Sequence, residues 1–315
     1  MKKKVLAAVL MGAMVFSMAA CGSGDSGSSS DSAATEDSAS SDSSSDSSSS
    51  DASAPSGTIS VLSREEGSGT RGAFVELFGV EEENADGETV DNTTVDAQVT
   101  NSTAVMMTGV AQDPQAIGYI SLGSLDDSVK ALKVDGAEAS AENVKSGTYK
   151  VSRPFNIVTN DDISDVAQDF VDYILSSDGQ AIVEEDGYIA VDDAAEAYAG
   201  TSPEGTVVVA GSSSVSPVME KLKEGYEAVN PNASIEIQTS DSTTGVESTI
   251  SGICDIGMAS RELKDTETSE GVTGTQIAID GIAIIVNNEN SMTDITSDQV
   301  KQIYTGEVTN WEDLQ

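Results

Sequence analysis

Residues 207–217 read Val-Val-Val-Ala-Gly-Ser-Ser-Ser-Val-Ser-Pro, and this stretch decides the fold class. Its apolar first four residues predict a buried strand, the small residues after them a tight loop, and Pro217 the first turn of a helix. A strand, a short loop and a helix in this order form the unit of an α/β sheet protein. Backbone N–H groups and hydroxyls at such a helix start attract anions, although serines there usually serve only as N-caps.

Two further segments repeat this unit. Asp-Ser-Thr-Thr-Gly at 241–245 follows a predicted strand at 234–239, and Arg-Glu-Glu-Gly-Ser-Gly-Thr-Arg at 64–71 follows one at 58–62. Ligands of open α/β sheets bind at the carboxyl ends of the strands, where such loops converge. The three loops together therefore predict a site for a small oxyanion.

A fourth segment, Asp-Ile-Gly-Met-Ala-Ser-Arg-Glu at 255–262, ends a short strand with a hydroxyl and an arginine. Arginine forms bidentate, charge-assisted hydrogen bonds with tetrahedral oxyanions. The alternative is a surface arginine, Arg261, that pairs with Glu262. Further strands are predicted at 117–121, 155–159 and 277–286, and the helical spacing of Val218, Leu222 and Tyr226 predicts a helix that faces the core.

The amino terminus resembles a bacterial lipoprotein signal. Three lysines precede an apolar run at 5–18, and Ala19-Ala20 precede Cys21, although Met18 stands where a lipobox usually has Leu. The run is too short to span a bilayer. This pattern predicts a signal peptide at 1–20 and lipidation of Cys21, with ordinary secretion as the alternative. Residues 21–56 are nearly all Ser, Asp, Ala, Gly and Thr and predict a disordered stalk behind the anchor.

The composition excludes several classes of function. The formal net charge of −39 argues against a nucleic-acid partner, whose phosphates need basic neutralisation. The chain has no histidine, so no Ser–His or Cys–His pair and no Cys/His metal cluster can form. Cys254 lies among apolar residues and is expected to be a small buried hydrophobe. We therefore expect neither an enzyme nor a cofactor or metal.

The loops resemble the phosphate-binding lipoproteins of bacterial high-affinity phosphate ABC importers. The likeness rests on residues 63–71, 210–217, 241–245 and 255–264, with 116–119, 152–155 and 304–311, and extends over almost everything after the stalk. It implies an α/β, two-lobed type II periplasmic-binding-protein fold with the ligand in the inter-lobe cleft. It also implies a monomer, lipid-anchored on the outer face of the cell membrane, that delivers inorganic phosphate to the permease and ATPase subunits of an ABC importer.

Position by position, the resemblance implies ten phosphate-binding residues: Arg64, Glu66, Ser68, Gly69, Thr70, Ser213, Ser214, Thr243, Ser260 and Arg261. Some family members have aspartate where Arg261 stands, so the acceptor for the phosphate proton is here either Glu66 or absent; alternatively, Glu66 is a structural partner of Arg64. An aromatic residue sometimes replaces Ser214. A carboxylate acceptor repels unprotonated sulfate, which predicts selectivity for phosphate; other tetrahedral oxyanions stay open as ligands.

The order of the segments departs from the family. The family begins with the part that matches residue 205 onward, runs to Trp311 and continues into the part that matches 57–198; here the second part comes first. This order predicts a circular permutation joined through 200–205, with one lobe at 149–280 and the other at 57–148 plus 281–315. The alternatives are an inactive fragment of a tandem phosphate-binding protein and, for function, a phosphate-sensing or adhesive surface lipoprotein.

Overall fold

The computed structural model describes residues 55–84 and 88–314. The predicted signal peptide, Cys21 and the stalk up to residue 54 lie outside the described residues. None of the helices in the described part of the chain is long and apolar enough to cross a membrane.

Strands and helices alternate along the chain, which confirms the predicted α/β class. The strands are β1 Ser60–Arg64, β2 Glu81–Glu83, β3 Thr89–Asp91, β4 Gln98–Thr100, β5 Ala116–Ser121, β6 Lys130–Ala131, β7 Lys133–Val134, β8 Ser152–Asn160, β9 Gly205–Ser212, β10 Ala233–Ser240, β11 Ile256–Ala259, β12 Val272–Val286 and β13 Asp294–Ile295. The helices are α1 Gly69–Leu77, α2 Thr103–Gln112, α3 Ala141–Lys145, α4 Asp165–Leu175, α5 Ser177–Glu185, α6 Ser216–Val229, α7 Ser242–Ile250, α8 Asp265–Thr268 and α9 Ser297–Thr305.

The main sheet has the strand order β10-β9-β11-β8-β12-β5-β1-β4. Strands β9, β10 and β11 pair in parallel at one end, as do β1, β4 and β5 at the other. Between them β8 and β12 are antiparallel: residues 272–281 of β12 pair with β8, and 282–286 pair with β5. The long strand β12 therefore connects the two parallel parts of the sheet.

Two large apolar cores flank the main sheet. One packs α4, α5 and α6 against β9 and β8 and contains Phe170 and Leu222, and the other packs α1 and α9 against β5 and contains Phe74 and Tyr304. Along β12 the boundary falls between Ala278, in the first core, and Ile282, in the second.

The second core also includes residues just before β8. Tyr149 and Val151 fall within the segment predicted for the other lobe, yet they pack here. The hydroxyl of Tyr149 donates to the carbonyl of Ile282 at 2.7 Å, and the N–H of Ile282 donates to the carbonyl of Val151 at 2.9 Å. These bonds to β12 place the core boundary after Val151 rather than at 149.

The connector between α5 and β9 is held against α4 by one buried carboxylate. Asp169 accepts hydrogen bonds from the Tyr198 hydroxyl at 2.5 Å, the Tyr226 hydroxyl at 2.8 Å and the Thr201 N–H at 3.1 Å. Tyr198 and Thr201 belong to the connector, whereas Tyr226 lies on α6. The segment that leads into β9 is therefore hydrogen-bonded to α4 through Asp169, which also binds Tyr226 on α6.

Candidate anion-binding site

Four loops meet at the carboxyl ends of β1, β9, β10 and β11. Their side chains, together with the first residue of α2, form a group of buried hydroxyls that we call the hydroxyl cluster: Thr70, Thr103, Ser212, Ser213, Ser214, Ser242 and Ser260. Hydrogen bonds link its members, with Oγ–Oγ distances of 3.0 Å for Ser212 to Ser260 and 3.3 Å for Ser242 to Ser260. The Ser214 hydroxyl contacts Thr70 at 2.8 Å and Thr103 at 3.2 Å.

Local sequence explains why the loops turn where they do. The hydroxyl of Ser68 caps α1 by accepting the Arg71 N–H at 3.3 Å, and the carboxylate of Asp241 caps α7 by accepting the Thr244 N–H at 2.9 Å. Gly211 has φ of 136°, and a Cβ there would lie 2.4 Å from the Met258 carbonyl oxygen, so only glycine fits. Helices α1, α6 and α7 therefore begin beside the cluster, and helix N-termini favour negative charge.

Arg64 is the buried cation of the site, with a side chain only 2% exposed. Its Nη2 donates to Ser213 Oγ at 3.0 Å, and Nε and Nη2 donate to the Glu65 carboxylate at 2.8 and 2.7 Å. Within residues 55–84 and 88–314 these side-chain bonds involve Nε and Nη2. The structure thus joins Arg64 from β1 to Ser213 from the β9 loop, as the sequence predicts.

Tyr119 on β5 supports the backbone around Arg64. Its hydroxyl accepts the Arg64 N–H at 3.1 Å and contacts Ser63 Oγ at 2.9 Å. The ring stacks on Phe74 with centroids 3.9 Å apart and planes 7° apart. Burial raises the pKa of Tyr119 to about 12, so the phenol is neutral and keeps its proton. This packing fixes the end of β1 before any ligand binds.

The carboxylate beside Arg64 is not the predicted one. Glu66 lies at the tip of the turn after β1 and is exposed, whereas Glu65 forms the ion pair with Arg64. The alternative in which Glu66 is a structural partner of Arg64 is therefore wrong. The reason is the turn at residues 66–67, which directs the side chain of Glu66 to solvent.

Arg261 and Thr243 lie at the rim of the site. Arg261 donates to the Glu267 carboxylate at 2.7 and 2.8 Å and to Thr243 Oγ1 at 3.2 Å. The alternative that Arg261 pairs with the side chain of Glu262 is thus wrong, because α8 brings Glu267 to it and Glu262 offers its carbonyl. Burial raises the pKa of Glu267, but the hydrogen bonds from Arg261 and the Lys264 N–H, together with the positive charges of both residues, hold that pKa below its usual range.

Loops from both parallel parts of the sheet touch at the site. The Thr243 N–H donates to the Gly67 carbonyl at 3.2 Å. A Cβ on Gly69 would lie 2.5 Å from Ser242 Oγ and 2.7 Å from Ser260 Oγ. The predicted residues Ser68, Gly69 and Thr70 at the start of α1 are thus buried close to the hydroxyls of α7 and β11.

Three cluster members were missed by the residue-by-residue prediction: Ser212, Ser242 and Thr103. Ser212 and Ser242 lie in the predicted loops, one residue before Ser213 and Thr243. They differ from these predicted residues only in the direction of the side chain. Thr103 follows Ser102, whose hydroxyl caps α2 by accepting the Val105 N–H at 3.2 Å. A Ser-Thr pair before an apolar run was the available signal.

The chemistry of the site suits an anion. Hydroxyls, helix N-termini and a buried guanidinium supply many donors, and the carboxylate of Glu65 is already engaged by Arg64. In the described ranges no group of three or more His, Cys, Asp or Glu residues is placed to hold a metal ion.

Comparisons with known proteins point the same way. A family model described as a PBP superfamily domain matches residues 41–178 and 196–315. The phosphate-binding protein PstS 2 of Streptococcus agalactiae serotype V is 59% identical over 259 residues, 82% of this chain and 88% of that protein. The phosphate-binding protein PstS 2 of Streptococcus pneumoniae serotype 4 is 39% identical over 313 residues, 99% of each chain. The crystal structure of a phosphate-binding protein of a phosphate ABC transporter from Streptococcus pneumoniae TIGR4 has a TM-score of 0.65 and 41% identity, and covers 82% of this chain and 100% of that chain.

Proposed function

Because this chain belongs to the PBP superfamily, we propose that it binds inorganic phosphate outside the cytoplasm and delivers it to an ABC transporter for import. The observation that carries the proposal is the hydroxyl cluster around Arg64, built from four converging loops. The phosphate-binding relatives support the choice of ligand. The superfamily is one of binding proteins, so the chain is a substrate-binding component and not an enzyme.

The energetics of the site are adequate for this role. A phosphate ion that leaves water loses its hydration, and only a full set of donors offsets that cost. Hydrogen bonds to charged groups contribute about 1.5–3 kcal/mol each, and a micromolar dissociation constant needs about 8 kcal/mol. The net charge of −39 does not prevent binding, because exposed charges are screened beyond about 8–10 Å in physiological salt.

We assign the phosphate contacts to Arg64, the start of α1 and the serines of the β9 and β11 loops. The proposed ligand set is Arg64, Ser68, Gly69, Thr70, Ser213, Ser214, Ser242 and Ser260. Thr243 and Arg261 contribute at the rim. The role of proton acceptor and of selection against sulfate passes from Glu66 to Glu65, since Glu65 is the carboxylate beside Arg64.

The order of segments fits a circular permutation, which we retain as part of the proposal. In the segment order that the resemblance implies for the family, the segment of Trp311 continues into that of Gly57, and here the Trp311 N–H donates to the Gly57 carbonyl at 3.0 Å. A permutation requires these two segments to lie close together, as this bond holds them. The proposed lobes, 149–280 and 57–148 plus 281–315, correspond to the two large cores apart from the residues just before β8 and Ile189.

The remaining parts of the proposal concern the membrane and the partners. We propose cleavage after residue 20, lipidation of Cys21 and a stalk to residue 56, so that a monomer meets the permease and ATPase subunits from the outer face. Stable anchoring takes more than one acyl chain, as lipoprotein processing would provide. Mass spectrometry of the mature protein from membranes tests the anchor directly: an unmodified Cys21 would exclude it.

Calorimetric titration of the mature chain with phosphate and with sulfate tests the binding. We expect a micromolar or tighter dissociation constant for phosphate, little heat from sulfate, and loss of phosphate binding in Arg64→Met. Lys301→Met, which removes an exposed lysine paired with Glu82, is the matched control and should bind normally. A native protein that binds no oxyanion would refute the proposal. Phosphate uptake in a deletion strain distinguishes import from a sensing or adhesive role.

A further inference from the structure

A buried ion pair lies where β12 passes from β8 to β5. Arg153 on β8 and Asp280 on β12 are direct cross-strand partners. Nε and Nη2 of Arg153 donate to Oδ2 of Asp280 at 3.1 and 3.0 Å, and the two side chains are 1% and 0% exposed. Neither residue belongs to the hydroxyl cluster.

The two ends of this pair contact different parts of the molecule. On the arginine side, Nη1 donates to the carbonyl of Ser260 at 3.3 Å, and Ser260 is a member of the hydroxyl cluster. On the carboxylate side, Oδ1 accepts the hydroxyl of Ser121 at the end of β5, at 2.9 Å. The positive end thus lies against the anion site, and the negative end lies on the side of β5.

Stability alone is a weak explanation for this pair. Removing two charges from water costs several kcal/mol per ion, and well-packed apolar residues in their place are often neutral or stabilising. Burial lowers the pKa of Arg153, the Asp280 carboxylate opposes that shift, and the positive charge of Arg64 adds to it.

We infer that the Arg153–Asp280 pair sets the electrostatic potential at the anion site. Arg153 is a positioning residue behind Ser260 whose positive charge attracts the anion. The negative charge of Asp280 limits that attraction. This inference rests on the proposed function. In a site of low dielectric, charge–charge energies fall only as the inverse of distance. Because Arg153 contacts Ser260 directly and the side chain of Asp280 contacts Arg153 and Ser121, we expect Arg153 to attract an anion at Ser260 more strongly than Asp280 repels it.

The two halves of the pair should therefore shift phosphate affinity in opposite directions. Arg153→Gln leaves Asp280 uncompensated and should weaken binding by about tenfold or more, whereas Asp280→Asn leaves Arg153 uncompensated and should tighten binding by about threefold or more. Arg153→Lys keeps the charge and should lose less affinity than Arg153→Gln. The double variant Arg153→Gln with Asp280→Asn is neutral and should bind between the two single variants.

Calorimetric titration of the mature chain with inorganic phosphate provides the test, and the exposed pair Lys301–Glu82 provides the control. Lys301→Gln and Glu82→Gln make the same charge changes at the surface and should alter affinity by less than about twofold, because solvent screens them. If those variants matched the effects at Arg153 and Asp280, net charge rather than position would be the cause, and the inference would fail.

Loss of affinity in both single variants, or in neither, would show a purely structural pair and overturn the inference. Should Asp280→Asn not fold, the comparison of Arg153→Lys with Arg153→Gln decides: equal losses contradict a field effect, and a loss confined to Gln supports it. A native protein that binds no phosphate would refute the proposed function and this inference together. If the native protein binds phosphate and the Arg153→Gln and Asp280→Asn variants shift its affinity in the same direction, this inference alone would be refuted.

Discussion

Replacement of Gly69 by alanine probes how closely the two sides of the site approach. An added Cβ would lie 2.5 Å from Ser242 Oγ, 3.1 Å from Ser242 Cβ and 2.7 Å from Ser260 Oγ, all shorter than a van der Waals contact. Rotation of the serines gives little relief, because Ser242 Oγ accepts the Ser260 N–H at 3.0 Å and Ser260 Oγ contacts Ser212. The start of α1 must therefore move away from α7 and β11.

Overpacking of this kind costs about 1–3 kcal/mol, and that cost falls on the arrangement of loops that we propose binds phosphate. At 1.4 kcal/mol for each factor of ten, we expect Gly69→Ala to weaken phosphate binding about 5-fold to 150-fold. Isothermal titration calorimetry measures the dissociation constant, and circular dichroism checks that the secondary structure is intact.

Gly72 on the same helix is the matched control. A Cβ there meets its nearest atom, Arg261 Cδ, at 3.8 Å, which is ordinary contact. Alanine is favoured over glycine in a helix by roughly 0.5–1 kcal/mol, so Gly72→Ala should be slightly more stable and bind normally. Equal phosphate affinity in Gly69→Ala and Gly72→Ala would refute the close approach across the site.

Three further outcomes are expected. Tyr119→Phe leaves the Arg64 N–H without its buried acceptor, so denaturant titration should show a loss of about 1–3 kcal/mol in the free energy of unfolding. Glu65→Gln should weaken phosphate binding and relax the rejection of sulfate, while the exposed Glu66→Gln should change neither; the reverse result would restore the original assignment. The pKa of Glu267 is depressed in the folded state, so its stabilising contribution is present above the unfolded value near 4.5 and is lost as the pH falls through its folded pKa. Thermal melts from pH 7 to pH 3 should therefore show a smaller decline in stability for Glu267→Gln than for the native chain.

Local patterns predicted the elements well where one residue type dominates. The apolar run and serines at 207–217 correspond to β9 and the start of α6. Strand β12 was predicted only at 277–286, yet it begins at Val272. Its first part reads Val-Thr-Gly-Thr-Gln, which carries little apolar signal, and it is a strand because it pairs with β8.

The site was predicted to the level of its loops and less well to the level of its side chains. The sequence identified the loops of Ser213 and Thr243 but not that Ser242 rather than Thr243 is the fully buried hydroxyl. It likewise named Glu66 where Glu65 contacts Arg64. The side chains of neighbouring residues in a turn point in different directions because of backbone geometry alone. The amino-acid composition does not indicate which of them faces the site.

The sequence by itself determined the α/β class, the strand–loop–helix units that present donors to an anion, and a net negative charge that disfavours nucleic-acid binding. Each of these depends on local propensity or on a sum over residues. Only the tertiary structure decided which carboxylate meets Arg64, which hydroxyls share one cluster and that Arg153 and Asp280 form a buried pair behind Ser260. Arg64 and Glu65 are adjacent in the chain, whereas the hydroxyl contacts and the buried pair join residues 18 to 144 positions apart. The contacts form because β12 and the converging strand ends bring these residues together. Their separation along the chain does not predict that they meet.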